Sequence, residues 1–259
     1  EVKRAHPDLG ERHPSTLASA HEVASILESL GRYEDALAIA QPTWEAERAH
    51  PDLGARHPRT LLSANLVAQI LECLGWYEEA LAVARLNWEA ERAHPDLGER
   101  HPRTLSSAHE VAHILNGFGR YEQALAIARP NWEIRRIHPD VGERHPNTLA
   151  SERLLAHILS NIHRNDEALK IIEPLCLELR RSPNIGPRHR YTLYADYVHA
   201  LTLFRLGTYE KARALAENAY ALAKQTFAPR HYLVADLARL LKDMEAGHTE
   251  GPPVRLLAS

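Results

Sequence analysis

His13-Pro14-Ser15-Thr16-Leu17 returns as His57-Pro58-Arg59-Thr60-Leu61, as His101-Pro102-Arg103-Thr104-Leu105, as His145-Pro146-Asn147-Thr148-Leu149 and, more loosely, as His189-Arg190-Tyr191-Thr192-Leu193. The step between these histidines is 44 residues each time. A second marker runs in register with the first: Leu30-Gly31-Arg32-Tyr33, Leu74-Gly75-Trp76-Tyr77, Phe118-Gly119-Arg120-Tyr121 and Leu206-Gly207-Thr208-Tyr209. A fixed period of this size marks stacked units, each of which buries its apolar face only against its neighbours. The chain is therefore expected to be an all-α solenoid. A solenoid grows by adding neighbours, so length alone sets no domain count.

Each unit carries its own punctuation. Pro14, Pro58, Pro102 and Pro146 suit the first turn of a helix, where the missing N–H would have no partner anyway. Apolar residues follow at helical spacing (Leu17, Val23, Ala24, Leu27, Leu30), and the glycine at 31, 75, 119 or 207 supplies the left-handed residue that ends a helix. This is helix A. A second stripe, Ala36, Leu37, Ala40 and Trp44, predicts helix B, ending near His50-Pro51. Pro42, Pro130 and Pro174 fall inside helix B and predict a kink there. The link His-Pro-Asp-Leu-Gly-Glu-Arg-His-Pro, polar and rich in Pro and Gly, reads as the loop between units.

The units lie near 13–56, 57–100, 101–144, 145–188 and 189–230, followed by a capping helix over 231–246, about 11 helices in all. Ile162-His163-Arg164-Asn165 replaces the glycine turn in the fourth unit and predicts an irregular turn there. The cap is more polar than the other A helices through Asp236, Arg239, Lys242 and Asp243, as suits a terminal element with one neighbour. Residues 247–259 hold Gly-Pro-Pro and no periodicity, and read as a disordered tail. Glu1 to Gly10 copies Glu45 to Gly54, the end of a helix B, which predicts a longer protein and a first helix pair left exposed at Leu17 and Val23 or at other residues of that pair.

Charge and composition narrow the function. Thirty-one Lys and Arg against 34 Asp and Glu give a net charge of -3, without the basic excess that nucleic acid or an anionic membrane surface demands. Apolar runs fall short of the ~20 residues of a membrane span. Cys73 and Cys176, two thiols at positions where other units place other residues, point to a reducing, cytoplasmic setting.

The alanines at 24, 68, 112, 156 and 200 in helix A, and at 36, 80, 124, 168 and 212 in helix B, sit where two helices must approach closely. This pattern resembles the tetratricopeptide repeat. The longer period and the Leu-Gly-x-x-His-Pro-x-Thr link look most like the extended repeats of kinesin light chain and of the sensor arrays of prokaryotic signalling NTPases. The resemblance implies a right-handed superhelix of antiparallel helix pairs. It further implies that the A helices line a concave groove holding a peptide or helix of a partner protein.

Projected outward from Ala24, one line of groove positions runs His21, Asn65, His109, Arg153 and Tyr197, and a second runs Ser25, Gln69, His113, His157 and Leu201. In kinesin light chain the first line carries asparagines that bond a peptide backbone, an identity kept here by Asn65. Both lines change from unit to unit while the buried stripe stays constant, as a binding surface differs from its scaffold. Glu28 and Glu72 are expected to project towards the groove in the first units, and Arg153, Arg205 and Arg239 in the last three. A partner is therefore expected to lie with acidic groups towards the C-terminal units.

His109-Glu110-Val111-Ala112-His113 matches the H-E-x-x-H pattern of zinc metalloproteases, with His157 one repeat on as a third imidazole. The first unit reads His21-Glu22-Val23-Ala24-Ser25, so the match arises by drift of a repeat. The expectation is no metal, no cofactor and no enzyme: phosphate loop, serine elbow and Cys-x-x-Cys are all missing. Trp44, Trp88 and Trp132 are expected to pack between units, and the link histidines to start helices. Two other readings fit the residues: a ligand-sensing, autoinhibitory array attached to an upstream effector domain of a signalling ATPase, and a metal-binding protein.

Overall fold

The computed structural model describes residue 10, residues 12–227 and residues 231–247. The copy of a helix B end over Glu1 to Gly10 and the tail beyond residue 247 lie outside them, Gly10 excepted. Among the described residues there are eleven α-helices and no strand. The A helices are α1 (Pro14–Ser29), α3 (Pro58–Cys73), α5 (Pro102–Gly117), α7 (Pro146–Asn161) and α9 (Arg190–Arg205). The B helices are α2 (Tyr33–Ala49), α4 (Tyr77–Arg92), α6 (Tyr121–Ile137), α8 (Asn165–Arg181) and α10 (Tyr209–Thr226), and α11 (Tyr232–Glu245) is the cap.

The chain forms two compact units that divide within α5, one ending at Ile114 and the other beginning at Leu115. In the first, α1 packs on α2, α2 on α3 and α3 on α4. In the second, α6 to α11 pack each on the next, and α9 also touches α7 and α11. All ten alanines of the repeat pattern are fully buried, at 0% exposure. A side chain any larger would hold the two helices of a pair apart, at about 1–3 kcal/mol for an overpacked core.

The link histidines start helices, as the sequence predicts, by a specific bond. In each of five A helices and in α11 the ring Nδ1 accepts from the backbone N–H two residues on: Ser15, Arg59, Arg103, Asn147, Tyr191 and Leu233, at 3.1–3.3 Å. One of the four N–H groups that a helix start leaves without an intrahelical partner is thereby satisfied.

The A helices end in a paired-bond cap. At Gly31, with φ 74°, its own N–H bonds Glu28 O at 2.8 Å and the next N–H, of Arg32, bonds Leu27 O at 2.9 Å. The fourth turn is not irregular. His163 takes the glycine position with φ 61° and keeps both bonds, to Ser160 O at 3.1 Å and from Arg164 to Leu159 O at 2.9 Å. Packing of α7 against α8 holds the turn, and the histidine takes the strained backbone conformation that glycine takes freely.

Helices α2, α6 and α8 run unbroken through Pro42, Pro130 and Pro174. These positions are exposed, as is Leu86 in α4, so the carbonyl that proline leaves without a donor can be hydrated. At the start of the array Val23, Ile26 and Leu30 are exposed, whereas Leu17 is buried. In the cap, Asp236 is buried against the expectation of a polar outer face, and burial pushes its carboxyl up to about 6. Among the described residues no helix is long and apolar enough to cross a membrane.

Candidate functional site

The open face of an A helix is narrow. From Thr60 to Glu72 in α3, ten residues are buried, Asn65 is half-buried, and only Leu62 and Gln69 are exposed. Spacings of three and four place Leu62, Asn65 and Gln69 on one face. The equivalent residues in α5, Ser106, His109 and His113, and in α1, Ala18, His21 and Ser25, are half-buried.

Polar bonds between repeats hold this face. His21 Nδ1 lies 3.1 Å from Ser63 Oγ, and burial is the main cause that lowers its pKa, which Glu47 opposes. Asn87 Nδ2 donates to Asn65 Oδ1 at 2.6 Å and to Ser107 Oγ at 3.3 Å, and Ser107 Oγ donates to Glu91 Oε2 at 2.7 Å. Arg59 meets buried Glu47 at 2.8 Å. This network was not anticipated from the sequence. Its signal is the recurrence of polar residues at Thr43, Asn87 and Asn131, and at Glu47, Glu91 and Arg135, on the buried stripe of helix B.

His109 and His113 stack with ring centroids 6.4 Å apart, and His113 Nδ1 lies 2.9 Å from Glu72 Oε1. Glu72 is buried and so does not project into an open groove. Burial first, and Glu72 second, raise the pKa of Glu110, whose Oε1 lies buried with no hydrogen-bond partner among the described residues. Among the described residues no three His, Cys, Asp or Glu side chains are grouped as a metal would require.

In the second unit the projected groove positions close. His157 and Tyr197 are each 5% exposed and Leu201 is fully buried, because α9 packs against both α7 and α11. His157 and Tyr197 are therefore core residues, edge to face at 6.2 Å, with Asn116 Nδ2 3.4 Å from the imidazole. Arg205 Nη1 donates to Asn161 Oδ1 at 2.9 Å and to Ser160 Oγ at 3.0 Å, and Asn161 donates on to Asn116 Oδ1 at 2.9 Å. Arg239 lies 3.7 Å from Asp236. Two of the three arginines expected to face a ligand thus have partners within the chain. Arg153 lies 5.4 Å from the centre of the Tyr194 ring, and among the described residues it forms no ion pair.

The tryptophans depart from the expectation in part. Trp44 is buried, but Trp88 and Trp132 are half-buried. Each lies under the guanidinium one turn on: Arg48 at 4.8 Å, Arg92 at 5.2 Å and Arg136 at 4.7 Å.

No family model and no curated protein matches the chain. Solved structures do. Crystal structures of nearly identical TPR-like repeats assigned to a kinesin light chain of Podosopora anserina align with TM-score 0.63, covering 83% of this chain and 99% of that one at 23% identity. A variant of the same protein aligns with TM-score 0.65 over 83% and 97%, again at 23% identity. The paired helices, the buried alanines and these alignments together give the chain a tetratricopeptide-like repeat fold.

Proposed function

We propose that the chain is a protein-interaction module that takes a peptide or helix of a partner protein across its A-helix face. The observation that carries this reading is the open face of α3, where Leu62 and Gln69 are exposed and Asn65 is half-buried on a helix otherwise buried from residue 60 to residue 72. One apolar and two amide side chains in a row suit a peptide: the leucine anchors a side chain and the amides bond its backbone. Half-buried His109 and His113 extend the face, and their packing limits the entropy lost on binding. Arg153 is the residue that receives an acidic group of the partner in the second unit. Free thiols at Cys73 and Cys176 support a cytoplasmic setting.

A displayed peptide library selected on the full chain tests the reading. Selected peptides should bind at least tenfold more weakly to the double variant Leu62→Asp, Gln69→Ala, whose helical content stays unchanged. Selection of peptides indifferent to the Leu62 and Gln69 changes would remove the A-helix face from the proposal.

A further inference from the structure

A concavity lies in the first unit where the end of α2, the first link and α3 and α4 come together. It has a volume of about 320 Å³, with Trp44, Leu61, Ala64 and Leu86 on its apolar wall and Arg48 and Arg56 beside them. The later links show carboxylates at the equivalent places, both of them in the third. In the second repeat Arg92 pairs with Glu99, and in the third repeat Arg136 pairs with Glu143 at 2.8 Å. Arg48 is their equivalent, but the residue at the position of those glutamates is Ala55. In the third link Arg144 meets Glu178 at 3.2 Å. Arg56 is the equivalent of Arg144, and the position of Glu178 is taken by Ala90.

Two alanines thus remove both carboxylates from one place and leave the two arginines. Among the described residues neither Arg48 nor Arg56 forms an ion pair, although Glu89 also lines the concavity. The same economy of side chains makes the space. Ala90 and Ala93 line it, where the chain 44 residues on carries Ile134 and Ile137. Leu86 stands here, 53% exposed, where three other B helices carry proline. An apolar hollow with two guanidiniums at its rim is complementary to a ligand that is apolar at one end and anionic at the other.

We propose that this hollow binds a short segment of a partner protein in which an aliphatic side chain stands next to a carboxylate. The aliphatic group enters between Leu61, Ala64 and Leu86. The carboxylate takes the place that Glu99, Glu143 and Glu178 hold elsewhere in the array, against Arg48 and Arg56. Leu62, Asn65 and Gln69 do not line this hollow, although Asn87, which does, donates to Asn65; the proposal does not rest on the function proposed for the A-helix face.

The indole N–H resonance of Trp44, assigned by its loss in Trp44→Phe, reports on the hollow in the full chain. Acetyl-Gly-Leu-Glu-Gly-amide should shift it saturably, and the analogue with Gln for Glu should bind at least tenfold more weakly. Ala55→Glu, at an exposed position that leaves folding intact, should weaken the Leu-Glu peptide at least tenfold by restoring an internal carboxylate, and Ala90→Ile should weaken it by filling the hollow. Sodium hexanoate should bind more weakly than the peptide. Absence of a saturable shift, equal binding of the Gln analogue, indifference to Ala55→Glu, or hexanoate binding as tightly as the peptide would each overturn the proposal.

Discussion

Ile26, Ile70, Ile114 and Ile158 occupy one helix position in four successive units, and their surroundings differ at one end only. Ile26 is 61% exposed, whereas the other three are fully buried. Replacing a buried isoleucine by alanine forfeits its transfer free energy and leaves a cavity, about 2–5 kcal/mol in total. At Ile26 only about two-fifths of the roughly 1.5–3 kcal/mol of full burial is present, about 1 kcal/mol. Alanine's better helix propensity returns a few tenths of a kcal/mol. The expected cost of Ile26→Ala is thus about 0.5 kcal/mol, against at least about 2 kcal/mol for Ile70→Ala, Ile114→Ala and Ile158→Ala. An array need not unfold in one step, so a single melting temperature would blur the comparison. Hydrogen exchange resolved helix by helix gives the local opening free energies of α1, α3, α5 and α7, and in the unmodified chain α1 should already be the least protected of them. If Ile26→Ala lowers protection in α1 as much as Ile114→Ala does in α5, the α1 face is covered in solution and the reasoning from exposure fails.

Two further outcomes are expected. His163→Gly should stabilise the chain by about 0.5–1 kcal/mol, because relief of the left-handed penalty of about 1–2 kcal/mol exceeds the entropy glycine costs; a lower urea midpoint would refute this. Burial is the main cause that raises the Glu152 carboxyl from its ordinary 4.5 to about 7, with Glu178 and Glu143 adding to it and Arg136 opposing. The folded chain therefore binds the extra proton, and the stability this contributes is full below 4.5 and lost as pH rises through about 7. Glu152→Gln should gain on the parent between pH 5 and pH 8 by about 1–2 kcal/mol, discounted for the partial solvation of the group. Denaturation curves that stay parallel across that range would show that Glu152 is ionised throughout.

The helix ends were legible because their determinants are local. A histidine before Pro58 and a glycine at position 75 act on the N–H and C=O groups of their own turn, and no distant residue is needed to interpret them. His163 was misread for the same reason: taken alone, Ile162-His163-Arg164 carries no cap signal, and the turn is imposed by the packing of the helices on either side. The candidate site was less legible. Projection from Ala24 placed His21, Asn65, Gln69, His109 and His113 on a face that is open or half-open, but the same projection placed His157 and Tyr197 on it too, and they are buried. The partners of Arg205 are Ser160 and Asn161, about one repeat away, and only the stacking of α9 on α7 brings them within reach.

From the sequence alone came the period, the order and ends of the helices, and the alanines at which helices meet, since backbone preference and apolar spacing act within a few turns. The tertiary structure decided which of five equivalent positions stays open, which arginine finds a carboxylate, and where Ala55 and Ala90 leave a hollow. Those outcomes depend on what the neighbouring units place opposite a residue, and equivalent residues in a repeat have different neighbours.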